Sequence, residues 1–353
     1  MKKIIFLMAI AIGFCSSCTN KESNGKMKYS EPIFEKEINA DMKVLNNTFL
    51  FNYGCLKVVD SLIVYSGITD ISDKNFHVFS KNTGKYLTSF GNIGRAFGEI
   101  SMQGPKFSID KNNKTVYVFD SMLKKTVSYS IDKVLAGNVD YVKEIVLPSA
   151  MSNVVSSKFF YLKDDTFLGG YTYSDRFLIC SEKDSIAASN FYPDLGVETE
   201  DYKKIEEAYY LFTGAMSVKP DGSMFAHATG RGCVLEIWEN NGTNITPSVI
   251  KGFFKPNYIT RDRESRFPTV LPNSEDPLGI YALSCTDKHI YAIYDNMATS
   301  TRGKIAVFDW KGDPEKIYQT SARIEAFDID NDKTAYILNQ KDDDSIELVS
   351  VAL

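Results

Sequence analysis

Six related hairpin segments, further strands after most of them, and little helix between them predict an all-β chain closed into a six-bladed β-propeller. The segments are LKVVDSLIVYS from Leu56, FSIDKNNKTVYVFD from Phe107, FYLKDDTFLGGY from Phe160, MSVKPDGSMFAHA from Met216, LSCTDKHIYAIY from Leu283 and FDIDNDKTAYILN from Phe327, with starts 51, 53, 56, 67 and 44 residues apart. Each is an apolar or alternating run, a polar turn containing aspartate, and a second β-rich run. Aspartate suits such turns because its carboxylate accepts hydrogen bonds from the backbone N–H groups that follow.

A third strand follows in HVFSK, TVSYS, FLICS, VLEIW and KIAVFDW, and a fourth in KYLTSFG and KEIVLP. The sixth copy runs to SIELVSVAL and so has three strands, one short of a blade. The segment PIFEKEIN, residues 32–39, is a spare strand ahead of the first copy, expected to pair into the last blade and close the ring without a free edge.

The glycine-rich stretch FGNIGRAFGEI, residues 90–100, lies between blades one and two. A phosphate loop needs a strand before it and a helix after it, whereas here GPKFSIDKNNKTVYVFD continues in strands, and neither GxGxxG nor GxxxxGK[ST] is present. The stretch reads as a joint whose glycines let the backbone turn. Together with the preceding VFSKNTGKYLTS it resembles the strand, turn, strand and loop of NHL-type and TolB-like six-bladed propellers, which often carry G-x-G-P-G-E here. This chain keeps Gly94, Arg95, Gly98 and Glu99 and has Ala96 and Phe97 in the middle. LFTGAMSVKPDGSMFAHATGRGCVLEIW and IEAFDIDNDKTAYIL resemble TolB-like propeller lipoproteins of Bacteroides-type bacteria, and the likeness covers residues 50–353. It implies the fold; propellers host binding and catalysis alike.

The chain opens MKKIIFLMAIAIGFCSSC: two lysines, an apolar run from Ile4 to Phe14, and small residues before Cys18. The run is too short to span a bilayer and reads as an export signal. Its end resembles a bacterial lipoprotein signal, which implies lipidation of Cys18, residues 1–17 as signal peptide, residues 18–30 as a flexible tether and residues 31–353 as the propeller domain. The implied location is the outer membrane, facing the periplasm or the cell surface. Removing residues 1–17 takes away Lys2 and Lys3, so the formal charge moves from −5 to −7. That acidity argues against nucleic acid or a polybasic membrane contact.

Strand order sorts the loops. In an up-and-down blade the first-to-second and third-to-fourth turns share one face, which here is mostly sparse. The second-to-third turns and the joints between blades share the other, which carries GITDISDKN, FGNIGRAFGEISMQG, VETEDYKKIEEAYYLF, ATGRGC, YITRDRESRFPTVLPNSEDPLG and DNMATSTRG. Long loops on a rigid scaffold are where binding residues usually sit. All eight arginines fall in or beside loops of this face. Arginine offers a planar fork for carboxylate and phosphate. The candidate ligand-binding residues are therefore Arg95, Glu99, Arg176, Arg231, Arg261, Arg263, Arg266 and Arg302, with Arg323 beside the face. They either capture a polar or anionic partner or brace the loops by pairing with acids such as Asp70, Asp175 and Asp295. In EDYKKIEEAYYLF, residues 200–212, the spacing of Tyr202, Ile205, Ala208, Tyr209 and Phe212 predicts a short amphipathic helix packed on the ring.

Cys55, Cys180, Cys233 and Cys285 sit singly in apolar runs and read as small buried hydrophobes. His77, His227 and His289 fall in three blades, off the innermost strands and with no HExxH, so no metal site or cofactor is expected. No G-x-S-x-G occurs. DIDND, residues 328–332, lacks the glycine and glutamate of a calcium loop and aligns as the blade-six hairpin turn. DSL, DSM, DSI and DSI, at Ser61, Ser121, Ser185 and Ser345, resemble the O-glycosylation sequon of Bacteroides-type exported proteins, although turn-to-strand transitions produce the same letters. The expected function is a lipid-anchored binding or interaction module for a glycan, peptide or envelope protein. The alternatives are an envelope scaffold, or a lyase or hydrolase acting at the channel mouth.

Overall fold

The computed structural model describes residues 27–51, 54–138, 141–151, 158–171, 175–196, 212–261, 269–298 and 301–353. Six four-stranded units form in chain order. Blade one is Cys55–Val59, Leu62–Ser66, Phe76–Ser80 and Tyr86–Phe90, and blade two is Ser108–Asp110, Thr115–Asp120, Lys125–Ser130 and Lys143–Val146. Blade three is Phe159–Tyr161, Phe167–Gly170, Phe177–Cys180 and Ser185–Ser189, and blade four is Gly214–Val218, Met224–Thr229, Val234–Asn240 and Ile245–Gly252. Blade five is Gly279–Cys285, His289–Asp295, Lys304–Asp309 and Pro314–Gln319. Blade six takes Ile324–Asp330, Thr334–Gln340 and Ile346–Ala352 from the carboxyl-terminal part of the chain. A small extra pair, Tyr258–Arg261 with Thr269–Pro272, lies in the joint between blades four and five.

Each blade packs both faces against neighbours, so strands such as Leu62–Ser66 are buried at every position and read as continuous apolar runs rather than alternating ones. Six apolar clusters result, one at each blade junction. Phe76, Phe90, Val118 and Val127 join blades one and two. Phe119 meets Phe159 and Phe167 between two and three. Tyr336, Leu338 and Leu348 meet Leu56, Ile63 and Phe79 between six and one. Cys180, Cys233 and Cys285 are buried within these junctions and Cys55 is half-buried; all four are free thiols.

The ring closes through the amino-terminal segment, by a different stretch from the one expected. Met42–Phe51 is the fourth strand of blade six, antiparallel to Ile346–Ala352 in the register Met42↔Val351 and Val44↔Val349. Residues 36–39, expected in that role, instead pair parallel with Lys316–Gln319 as a fifth strand outside blade five. The reason is chain path: the segment comes in along the outside of two blades before it reaches the third. Ser30 N–H donates to the Gly252 carbonyl of blade four, Phe34 packs edge-on against Tyr294 and Phe308 of blade five, and residues 36–39 then cover that blade's edge. Contact with the ring is already made at Tyr29, whose hydroxyl donates to the Leu195 carbonyl.

The innermost strands are also stitched directly, blade to blade, by small acceptors. Ser108 Oγ accepts from the Tyr161 N–H at 3.0 Å, and Ser217 Oγ from the Cys285 N–H at 3.1 Å. Ser284 Oγ donates to Asp328 Oδ1 at 2.7 Å and accepts from the Ile329 N–H at 3.3 Å. Across the closing junction, Asp328 Oδ2 accepts from the Val58 N–H at 2.8 Å, with Lys57 Nζ 3.5 Å from Oδ1. Burial works to raise the Asp328 carboxyl, but Lys57, Lys111 and these donors outweigh it and hold it below the usual carboxylate range. Removing this acceptor strands a buried N–H and a lysine. Asp328→Ala should cost about 3 kcal/mol in chemical denaturation, with Asp328→Asn costing less than half of that because the amide oxygen still accepts.

Candidate functional site

The joint of residues 90–100 behaves as the sequence predicts. It runs from the last strand of blade one to the first of blade two and is held as a compact loop. Ile93 bridges Ile100, and Gly98, at φ +77°, lies so close to Tyr141 that a Cβ would fall 2.0 Å from the ring. Gly98 N–H donates to Glu144 Oε2 at 2.7 Å, and Tyr129 donates to the Gly98 carbonyl at 2.8 Å. Lys125 joins Glu144 at 2.9 Å to the Ala96 carbonyl at 3.1 Å. Glu99, a candidate ligand residue, turns inward and accepts from the Ala96 N–H at 2.9 Å. This framework holds Arg95 and Phe97 out in solvent; Phe97 is 69% exposed, with its ring edge-on to Tyr141.

The arginines do not act as one set. Arg176 departs most from expectation: strand order placed it with the surface arginines, yet its side chain is wholly buried between blades three and four. It grips Glu236 with both terminal nitrogens, at 2.6 and 2.8 Å, donates to the Phe191 carbonyl at 3.1 Å and lies over the rings of Tyr192 and Phe212 at 4.7 Å. An aromatic cage with one bidentate carboxylate lets a guanidinium survive without water. Arg231 donates to the Ser274 and Asp276 carbonyls at 3.0 and 2.8 Å, bracing the joint that leads to blade five. Arg302 meets Glu325 at 2.5 Å and lies over Tyr281 at 4.3 Å. Arg261 occupies the extra strand pair, opposite Thr269. Arg263 and Arg266 lie outside the described residues, as do Cys18 and residues 200–211 of the expected helix; Phe212 is buried.

His227 and Tyr171 complete the buried cluster. The Phe212 carbonyl can only accept, so Tyr171 donates to it; His227 Nε2 lies 2.5 Å from the Tyr171 oxygen, and Nδ1 lies 3.1 Å from Glu236 Oε1 and 3.3 Å from Arg176 Nη2. This is a neutral imidazole. Burial is the main cause, pushing its pKa down to about 4 despite Glu236 nearby. For Glu236 burial acts upward, but Arg176 and His227 outweigh it and hold the carboxyl at about 2. The other histidines are also spoken for: His77 is buried against the Gly67 carbonyl at 3.2 Å, and His289 lies between Asp332 at 3.0 Å and Glu315 at 3.3 Å. Asp332 belongs to the blade-six hairpin turn, as the alignment of copies predicts. Ser61, Ser185 and Ser345 stand at turn-to-strand transitions and Ser121 at the strand-to-turn transition after Asp120, with Asp60 and Asp344 at positive φ.

Sequence reasoning missed a well-formed concavity. A cavity of about 400 Å³ occupies the channel on the short-turn face, opposite the long loops, and innermost-strand residues of all six blades reach it. Lys57, Ser108, Tyr161, Ser217, Cys285 and Asp328 line its wall, with the turns at 111–113, 163–164 and 220–221 around the rim. The signal was available: Lys57, Ser108, Tyr161, Ser217 and Asp328 are the second residues of five of the six aligned copies, and Cys285 is the third residue of the other.

The comparisons agree with this architecture. The TolB-like 6-blade propeller-like family matches residues 33–332, and the chain belongs to it. Among solved structures, a protein named as exported from Bacteroides fragilis NCTC 9343 superposes with TM-score 0.53 at 14% identity, over 93% of this chain and 98% of that one. A member of the DUF4221 family from Bacteroides vulgatus gives TM-score 0.52 at 7% identity, over 88% and 97%. Regucalcin from Agrobacterium tumefaciens, a calcium-binding protein, gives 0.50 at 9%, over 90% and 95%. No curated protein matches the chain in sequence.

The buried cluster makes stability depend on pH in a defined direction. The unfolded imidazole titrates near 6.5 and the folded one near 4, so the unfolded chain takes up the proton first as pH falls. Stability should be full above pH 6.5 and decline toward pH 4, by up to about 1.4 kcal/mol per pH unit from this group. Denaturant melts across that range should show a shallower decline for His227→Gln. Glu236→Gln, which leaves the buried Arg176 uncompensated, should cost about 3–5 kcal/mol at pH 7.

Proposed function

We propose that the protein is a lipid-anchored module of the cell envelope that docks an envelope protein on its long-loop face. The observation that carries this reading is where apolar side chains meet solvent. Thirteen large apolar residues are exposed among the described residues. By strand order six of them, Ile68, Ile93, Phe97, Met122, Phe191 and Met297, stand in loops of the long-loop face, against Leu135 and Val142 in one connection of the other; the remaining five lie on strands and the amino-terminal segment. Soluble surfaces carry scattered apolar residues, but their concentration on one end of a rigid ring beside an exposed arginine matches the make-up of protein interfaces, where aromatics, methionine and arginine are enriched. The bracing arginines and glutamates fit the same reading: they hold the loops in place so that docking costs little ordering. The envelope location rests on the signal-like amino terminus and Cys18, with support from the family and from the exported relative in B. fragilis.

Two experiments separate the parts of this reading. Cys18→Ser should move the protein from the membrane fraction to the soluble envelope fraction; retention in the membrane would remove the lipid anchor. Phe97→Glu combined with Arg95→Ala should abolish the envelope-protein crosslink formed by the native protein in cells, while Tm stays within about 2 °C. An unchanged crosslink would exclude the long-loop face as the docking surface.

A further inference from the structure

The channel cavity on the short-turn face lies opposite the docking surface proposed above and is independent of it. Its volume of about 400 Å³ falls within the range of small-molecule sites and is too small for a folded partner. Its charges cancel. Four lysines and four aspartates line it, and the ones described in pairs are already satisfied: Lys57 with Asp328 at 3.5 Å, and Lys219 with Asp221 at 3.4 Å. An ion entering this mouth would meet no net field and would have to displace an existing partner.

What the cavity does offer is a mixture of donors and acceptors around an aromatic and aliphatic wall. Asn112, Lys111, Lys163 and Asp164 stand exposed at the rim on blades two and three. Below them lie Ile109, Phe160 and Tyr161. The Tyr161 ring is held flat against Tyr117, with centroids 4.5 Å apart and planes 1° apart, so it is a fixed surface rather than a mobile side chain. A molecule matching this wall needs several hydroxyl groups, each able to donate and accept, an apolar C–H face to lie against a ring, and no net charge. We propose that the channel mouth on the short-turn face binds a small neutral saccharide of one or two rings. The rim amide, ammonium and carboxylate groups would bond its hydroxyls, and Tyr161 and Phe160 would cover a C–H face. The ring of serines and Asp328 beneath is engaged in holding the blades together, so binding would leave the scaffold unchanged.

The test is calorimetric titration of the purified protein with cellobiose, lactose and N-acetylglucosamine, using glucuronate and glucosamine as charged molecules of similar size. The expected result is one site per chain for at least one neutral sugar, with both charged molecules at least tenfold weaker. Asn112→Ala with Lys163→Ala, both at exposed positions, should weaken that binding at least tenfold at unchanged Tm, and Tyr161→Ala should abolish it. Phe97→Glu, on the other face, should leave it unchanged. Binding of none of the three neutral sugars, preference for a charged one, or affinity unmoved by the rim variants would overturn the proposal.

Discussion

Everything in this molecule hangs on the closure of a circle. A propeller has no central element that the blades pack around; each blade is held by its two neighbours, so the junction between the first and last carries the same burden as the other five but joins segments far apart in sequence. Here it is made twice. On the outside, Met42–Phe51 pairs with Ile346–Ala352 and supplies the strand that blade six lacks. On the inside, Asp328 takes the Val58 N–H and Lys57, and reaches back through Ser284 to blade five. Between the two lies the apolar cluster of Leu56, Ile63 and Phe79 with Tyr336, Leu338 and Leu348. The loop closed by this contact is almost the whole chain, so its entropy cost is large and the contacts must be formed together to repay it.

The amino-terminal segment does more than close the ring. By running over blades four and five before entering blade six, it covers an edge that would otherwise present unpaired N–H and C=O groups. The buried Arg176–Glu236 pair plays a comparable part at the junction of blades three and four: an ion pair inside an aromatic cage has one satisfactory geometry, and that geometry fixes how blade three meets blade four. The two faces of the ring are then free to differ. One bears long loops braced by Arg231, Arg302 and Glu99 with apolar side chains left outside; the other bears short turns around a polar cavity.

The architecture was legible because blade strands carry strong local signals. The six hairpins, their turn aspartates and the glycine joint after Phe90 all sit where alternation and turn chemistry put them. The closing strand was misread by one segment, since residues 32–39 and 42–51 are both short β-rich runs and nothing in either states which neighbour it will meet. Arg176 was misjudged for a related reason. Its partner Glu236 is 60 positions away, and a burial that depends on Tyr192, Phe212 and Glu236 converging leaves no mark in the residues beside it. The cavity went unseen although its wall repeats in register through five of the six copies, because the long loops and the arginines lie on the opposite face. Lys57, Ser108 and Asp328 look like ordinary strand residues until the ring brings them to one axis.

The most direct test of ring closure compares the thermal unfolding of the domain from residue 27 with that of the same domain starting at residue 54, followed by circular dichroism. Without the closing strand, the last blade should expose a bare edge and the apolar cluster against blade one should lose its cover, so the shortened domain should show no cooperative transition. A sharp transition at the Tm of the longer domain would mean that the circle holds without its amino-terminal strand.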